Sequence, residues 1–121
     1  MNKEDRLFQT GIQAFNNRCF YDAHEYWEEL WLDYKIKDAK FIQGLIQLAV
    51  SYFHLFNDNI NGSRSMIKKC QGKFAGFSMN RGIDVIDLRK ELVKVEVHLN
   101  NINNKSDILD SYIVLLKDIH E

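Results

Sequence analysis

Apolar residues recur along this chain at the three- and four-residue spacing that is typical of amphipathic helices. The spacing predicts a first helix over residues 3–16, a second over 21–34 and a third over 39–57. No stretch alternates between apolar and polar residues for the length of a strand, and the chain contains no proline. The pattern therefore predicts an all-α fold.

The second half of the chain repeats this pattern, with breaks rich in asparagine and glycine between the apolar segments. It predicts a fourth helix over residues 62–77, a fifth over 85–102 and a closing one over 108–119. Asp38 and Asp84 precede the third and fifth predicted helices, where an aspartate side chain can cap free backbone amides. We expect a single domain over residues 1–121, a compact irregular bundle of five to six helices.

Composition narrows the classes of function. The 121 residues include 16 basic and 17 acidic ones, for a net charge of −1, so charge gives no reason to expect binding to nucleic acid or to a membrane. Cys19 and Cys70 are isolated in sequence, which argues against a disulfide framework or a zinc cluster. The first residues, MNKEDRLF, lack the apolar run of a signal peptide, and we expect a soluble cytoplasmic protein.

The third predicted helix carries no charged residue over FIQGLIQLAVSYFHLFN, residues 41–57, and is apolar around most of its circumference. Such helices are normally buried in a core or across a subunit interface, so a homo-oligomer or a partner helix is one expectation. Its polar residues Gln43, Gln47 and His54 fall in a strip about 40° wide. Buried polar groups serve structural networks and binding sites alike, and both interpretations remain open.

The second predicted helix contains the segment FYDAHEYWEELW, residues 20–31. His24 and Glu28 are four residues apart and should meet one turn apart, at the border between the apolar face and water. This pair could supply two metal ligands, or a base and the carboxylate that orients it. The alternative is a single boundary hydrogen bond beside a packed core. The predicted apolar face consists of Ala23, Tyr26, Trp27, Leu30 and Trp31.

Packing of the polar strip against this border would bring His54 and Gln47 to His24 and Glu28. Two histidines and a carboxylate resemble a ligand set for a divalent metal, the candidate cofactor, with Gln43 and Gln47 orienting substrate or water. A metal-dependent enzyme or a small-molecule site is one hypothesis. The alternative is a non-enzymatic interaction or assembly module in which the cluster clamps two helices together. The candidate cluster, with the tryptophans as pocket walls, comprises His24, Trp27, Glu28, Trp31, Gln43, Gln47 and His54.

Several of these motifs together resemble the domain-of-unknown-function 309 family. They are AHEYWE at residues 23–28, Trp31, FIQGLIQ at 41–47, His54 and Asn61-Gly62, and the resemblance extends over about residues 11–88. It implies a small all-α fold of crossing helices, and it implies no particular activity. Asp22 stands where the family motif usually carries glutamate. The positions that define the family correspond here to His24, Glu25, Glu28, Trp31, Gln43, Gln47 and His54.

Overall fold

The structure, a computed structural model, describes residues 1–118. Helices form most of it, and its β-structure consists of one two-stranded sheet and a single bridge. The predicted all-α fold is confirmed. The five helices are α1 (Lys3–Asn16), α2 (Phe20–Asp33), α3 (Ala39–Phe56), α4 (Ile60–Phe74) and α5 (Val85–Asn100).

Helix α3 occupies the centre of the bundle. It packs between α2 and α4, while α1 packs on α2 and α5 packs on α4. Half of its eighteen residues are buried, which agrees with the expectation for a helix that carries no charge from Phe41 onwards. The core is rich in aromatic rings, and its largest fully buried side chains include Phe15, Trp27, Phe41, Tyr52 and Phe74.

Side chains cap three of the helices, but the predicted cap of α3 is wrong. Asp84 accepts a hydrogen bond from the Asp87 amide at 3.0 Å, as predicted for the start of α5. Asn59 accepts one from the Gly62 amide at 2.9 Å, and α4 therefore begins two residues before the prediction. Asp38 does precede α3, but its side chain makes no capping bond there and reaches other partners instead.

The predicted turn after α4 is a small β-hairpin. Strand β1 (Met79–Asn80) pairs antiparallel with β2 (Ile83–Asp84). Between them Arg81 and Gly82 have φ values of 49° and 79°. Two successive residues in the left-handed region match the twist of a two-residue hairpin. Each strand is too short to leave an alternating pattern in the sequence.

The predicted closing helix is wrong over the described residues. A short 3-10 turn at Asp110–Tyr112 follows another at Lys105–Asp107, and residues 113–117 form no helix. Ile113, Val114 and Leu116 are buried although Leu115 is exposed, a burial pattern that one helical face cannot produce. Ile119, the predicted last residue of that helix, lies outside the described residues.

Candidate functional site

The start of α2 lies against the end of α3, so the two helices run antiparallel. The ring centroids of Tyr21 and Phe53 are 5.5 Å apart, and Phe20 stacks on Phe56 with centroids 6.0 Å apart and planes 9° apart. These rings border an open groove of about 470 Å³, which we call the aromatic groove. Its lining consists of Arg18, Cys19, Phe20, Tyr21, Asp22, Phe53, Phe56 and Asn57.

His24 and Glu28 make the contact that their spacing predicts. His24 Nε2 lies 2.8 Å from Glu28 Oε2, and both residues are half-buried on the side of α2 that carries Tyr21. The other ring nitrogen, Nδ1, lies 3.3 Å from the carbonyl oxygen of Tyr21. Both imidazole nitrogens therefore already have an oxygen partner, and the ring is held along the helix surface.

The polar strip of α3 borders α4 instead of α2. His54 Nδ1 lies 3.4 Å from Nδ2 of Asn59, at the cap of α4. Ser51, one turn after Gln47, hydrogen-bonds the carbonyl oxygen of Ser63 on α4 at 2.9 Å. Gln47 is half-buried, and its Oε1 is a buried oxygen without a hydrogen-bond partner in the part of the chain that the structure describes.

This arrangement separates the two halves of the predicted cluster. Within residues 1–118 no three His, Cys, Asp or Glu side chains are grouped to hold a metal ion. His24, Glu28 and His54 therefore do not form the predicted three-ligand set. The separation follows from the rotation of α3 about its own axis. The polar strip lies on the flank of α3 that faces α4, whereas α2 contacts the flank that carries Phe53.

The two tryptophans also have separate surroundings. Trp27 is fully buried, and its Nε1 donates a hydrogen bond to the carbonyl oxygen of Phe8 at 3.2 Å, so it belongs to the core and not to a pocket wall. Trp31 is 38% exposed, as is Tyr26. The predicted apolar face of α2 is thus too wide, because Tyr26 and Trp31 lie on opposite flanks of the buried stripe.

A second polar cluster, which the sequence interpretation missed, joins the hairpin to the start of α3. Asp38 Oδ2 accepts hydrogen bonds from Arg81 Nε at 2.6 Å and Asn80 Nδ2 at 2.8 Å, and Oδ1 accepts one from Arg81 Nη2 at 3.0 Å. Burial alone would raise the pKa of Asp38, but the hydrogen bonds and charge of Arg81, with Asn80, hold it below its usual value. The Arg81 guanidinium also lies 5.1 Å from the Phe8 ring centroid. The sequence signal for this cluster was the NRG turn at residues 80–82. Its partner Asp38 lies 43 residues before Arg81, and no local pattern reveals that contact.

Residues 8–66 match the model of a domain of unknown function, DUF309. Residues 8–66 are a DUF309 region. The matched residues include the last two-thirds of α1, all of α2 and α3 and the first half of α4, and hence the aromatic groove, the His24–Glu28 pair and the polar strip. The hairpin and α5 lie beyond the DUF309 match.

The other comparisons found nothing further. No curated protein matches the chain, and no solved structure matches it. Among the helices within residues 1–118, none is both long and apolar enough to cross a membrane.

Proposed function

We propose that this protein is an assembly module that docks a second copy of itself through α3 and the neighbouring edge of α2. The observation that carries the proposal is an arc of α3 that stays partly open to solvent between the flank that contacts α2 and the flank that borders α4. Its residues are half-buried or exposed and none is charged. We call it the uncharged arc, and it consists of Gln43, Ile46, Gln47, Val50, Phe53 and His54.

The composition of the uncharged arc suits the interior of an interface. Interface centres are depleted of charged residues and enriched in aromatic ones, and here Ile46, Val50 and Phe53 lie beside two glutamines. A face without charges can meet its own copy across a two-fold axis without like-charge repulsion. Each glutamine amide both donates and accepts, so Gln43 and Gln47 can pair with the same residues of a second copy.

Aromatic residues extend this face along the edge of α2. Tyr21 is 52% exposed at the start of the helix, and Trp31 is 38% exposed near its end. Phe53, itself 38% exposed, joins the edge to the uncharged arc through its contact with Tyr21. Exposed aromatic side chains are typical of protein-binding surfaces and often dominate their affinity.

The test is the association state of the whole chain across a concentration series by sedimentation velocity. We expect the native chain to dimerise, and Val50→Lys to raise the dissociation constant at least about tenfold, the effect of about 1.4 kcal/mol. Val93→Lys is the matched control, because Val93 is a 56% exposed valine on α5, away from this face. Circular dichroism should show that both variants keep their helices.

Phe53→Lys serves as a second variant, because Phe53 is more exposed than the half-buried Val50. A native chain that remains monomeric at about 0.1 mM would overturn the proposal. Equal dissociation constants for Val50→Lys, Phe53→Lys and Val93→Lys would also overturn it, because the contact would then lie elsewhere.

The second candidate function is small-molecule binding in the aromatic groove, and the size of the groove favours this function. A volume of about 470 Å³ lies in the range of small-ligand sites, and the rings of Phe20, Tyr21 and Phe56 supply apolar walls. Titration with the fluorescent apolar probe ANS should then give a saturable signal that Phe56→Ser removes. A saturable signal that survives in Phe56→Ser would argue against this site.

The third candidate is a divalent metal bound by His24 and Glu28. Their side-chain atoms Nε2 and Oε2 lie 2.8 Å apart, so an imidazole and a carboxylate, both common metal ligands, converge on one point. We would measure the metal content of protein purified without chelator, and titrate zinc into the native chain and into His24→Ala. Near-stoichiometric metal that is lost in His24→Ala would support the site. The same content in both proteins would reject it.

A further inference from the structure

The chain after the 3-10 turn Asp110–Tyr112 passes alongside α1 and α3, and side chains bind one of its edges. Asn16 donates from Nδ2 to the Leu116 carbonyl oxygen at 2.8 Å, and its Oδ1 accepts from the Leu116 amide at 2.9 Å. The Tyr52 hydroxyl donates to the Tyr112 carbonyl oxygen at 2.8 Å and accepts from the Val114 amide at 3.2 Å. Residues 112, 114 and 116 thus receive the bonds that a neighbouring strand would provide.

The opposite edge of this segment has no such partners. In an extended chain the backbone groups of successive residues point to opposite sides, so Leu115 faces away from Asn16 and Tyr52. Within residues 1–118 the amide and carbonyl of Leu115 form no hydrogen bond, and neither does the carbonyl of Ile113. The Leu115 side chain is 54% exposed. An open strand edge of this kind is a template for another extended chain.

This edge borders a groove of about 520 Å³ between residues 113–117 and α5. Leu88 and Val95 contribute apolar side chains from α5. His98 lies at one end of the groove, where its ring stacks on that of Tyr112 with the centroids 4.4 Å apart. At about 3.3 Å per residue, the five residues of the segment span about 13 Å. The groove therefore matches an added strand of about four or five residues.

Charge in the groove is unevenly distributed. Asp84, Asp87 and Glu91 line the half next to the hairpin, with Lys117 across from them, and Lys94 lies further along α5. The half next to the hairpin is thus acidic on balance. Side chains of an added strand alternate between the groove floor and its rim, so basic residues at the rim would face these carboxylates.

We propose that this groove binds an extended peptide segment of another protein, which adds as a β-strand along the Leu115 edge. The peptide would place apolar side chains towards Leu88 and Val95 and basic ones towards Asp87 and Glu91. Backbone hydrogen bonds would supply affinity, and the two kinds of side chain would supply selectivity. This site lies on α5 and the segment after it, away from the proposed self-association face on α2 and α3.

The first test uses a blocked five-residue peptide of alternating valine and lysine, titrated into the full chain by isothermal calorimetry. An acidic analogue with glutamate in place of lysine is the charge control. A third peptide keeps the valine–lysine side chains but carries N-methyl groups on alternate backbone nitrogens, which removes the donors of one edge. We expect the basic peptide to bind with a dissociation constant of about 1 mM or tighter, and both controls to bind at least about tenfold more weakly.

Variants of the chain locate the binding. Glu91→Lys should weaken the basic peptide at least about tenfold, whereas Glu29→Lys, an equivalent change of an exposed glutamate on α2, should leave it unchanged. Hydrogen exchange of the Leu115 amide should slow when the basic peptide is bound.

Three outcomes would overturn the proposal. One is that neither charged peptide binds at about 1 mM. Another is that the N-methylated peptide binds as well as its parent, which would show that only side-chain charge attracts it. The third is slow exchange of the Leu115 amide in the free chain at high dilution, because the edge would then be covered by the chain itself.

Discussion

Replacement of Tyr52 by phenylalanine tests whether one hydroxyl holds the last described segment in place. Tyr52 is fully buried, and its oxygen bridges the Tyr112 carbonyl and the Val114 amide. Tyr52→Phe removes this oxygen and keeps the ring contacts with Phe15 and Phe20. Two backbone groups then lose their partner without any other change in the core.

The magnitude follows from those two groups. A buried donor or acceptor that loses its partner costs about 1–3 kcal/mol, so two should cost about 2–4 kcal/mol if the longer 3.2 Å bond contributes at the low end. That is a substantial share of the roughly 5–15 kcal/mol that stabilises a domain of this kind. The segment after Tyr112 should also lose protection, because its inward edge depends on this bridge.

The assay is urea unfolding followed by circular dichroism, with hydrogen exchange of the Val114 amide as a local measurement. Tyr26→Phe is the matched control, because Tyr26 is 38% exposed and such a surface change should alter the free energy of unfolding by less than about 0.5 kcal/mol. A loss below about 0.5 kcal/mol for Tyr52→Phe would refute the reasoning. So would unchanged exchange at Val114.

Two further predictions concern close packing and charge. Gly11→Ala should lower the free energy of unfolding by about 1–3 kcal/mol in a thermal melt, because its Cβ would lie 2.6 Å from Trp27 Cδ1. The control Gly72→Ala, with nothing within 4 Å, should be neutral or stabilising by up to about 1 kcal/mol. For Asp38, the folded pKa lies below the unfolded value of 3.8, so its contribution is present above about pH 4 and lost as pH falls through the folded pKa. Arg81→Ala should remove this loss of stability at acid pH and should lower the free energy of unfolding at pH 7. If the free energies of unfolding of Arg81→Ala and the native chain were equal from pH 2 to pH 7, the result would count against the Asp38 assignment.

Helix positions were predictable because the information is local. Apolar residues at three- and four-residue spacing specify a helical face whatever the helix later packs against, and α1 matches its predicted bounds. The same holds for His24 and Glu28, whose contact depends only on one turn of α2. The lack of charge from Phe41 onwards likewise predicted that the third helix would be buried, and half of the residues of α3 are.

What the sequence could not reveal was how far each helix turns about its own axis. The polar strip of α3 could face α2 or α4 with the same periodicity, and packing chose α4, where Asn59 and Ser63 supply partners. This rotation places His54 apart from His24 and Glu28, so the predicted three-ligand set does not form within residues 1–118. A helical wheel shows which residues share a face, but not what that face meets.

The sequence by itself thus determined an all-α chain with its first five helices, a third helix that is uncharged from Phe41 onwards, and the His24–Glu28 pair, because each depends on residues a turn or two apart. Tertiary structure alone decided the rest. Asp38 left its capping position for Arg81, and residues after Tyr112 adopted an extended path because Asn16, a hundred residues away, binds Leu116. These contacts outweigh local helical preference because a buried backbone group must find a partner, and for these groups the partner is distant in sequence.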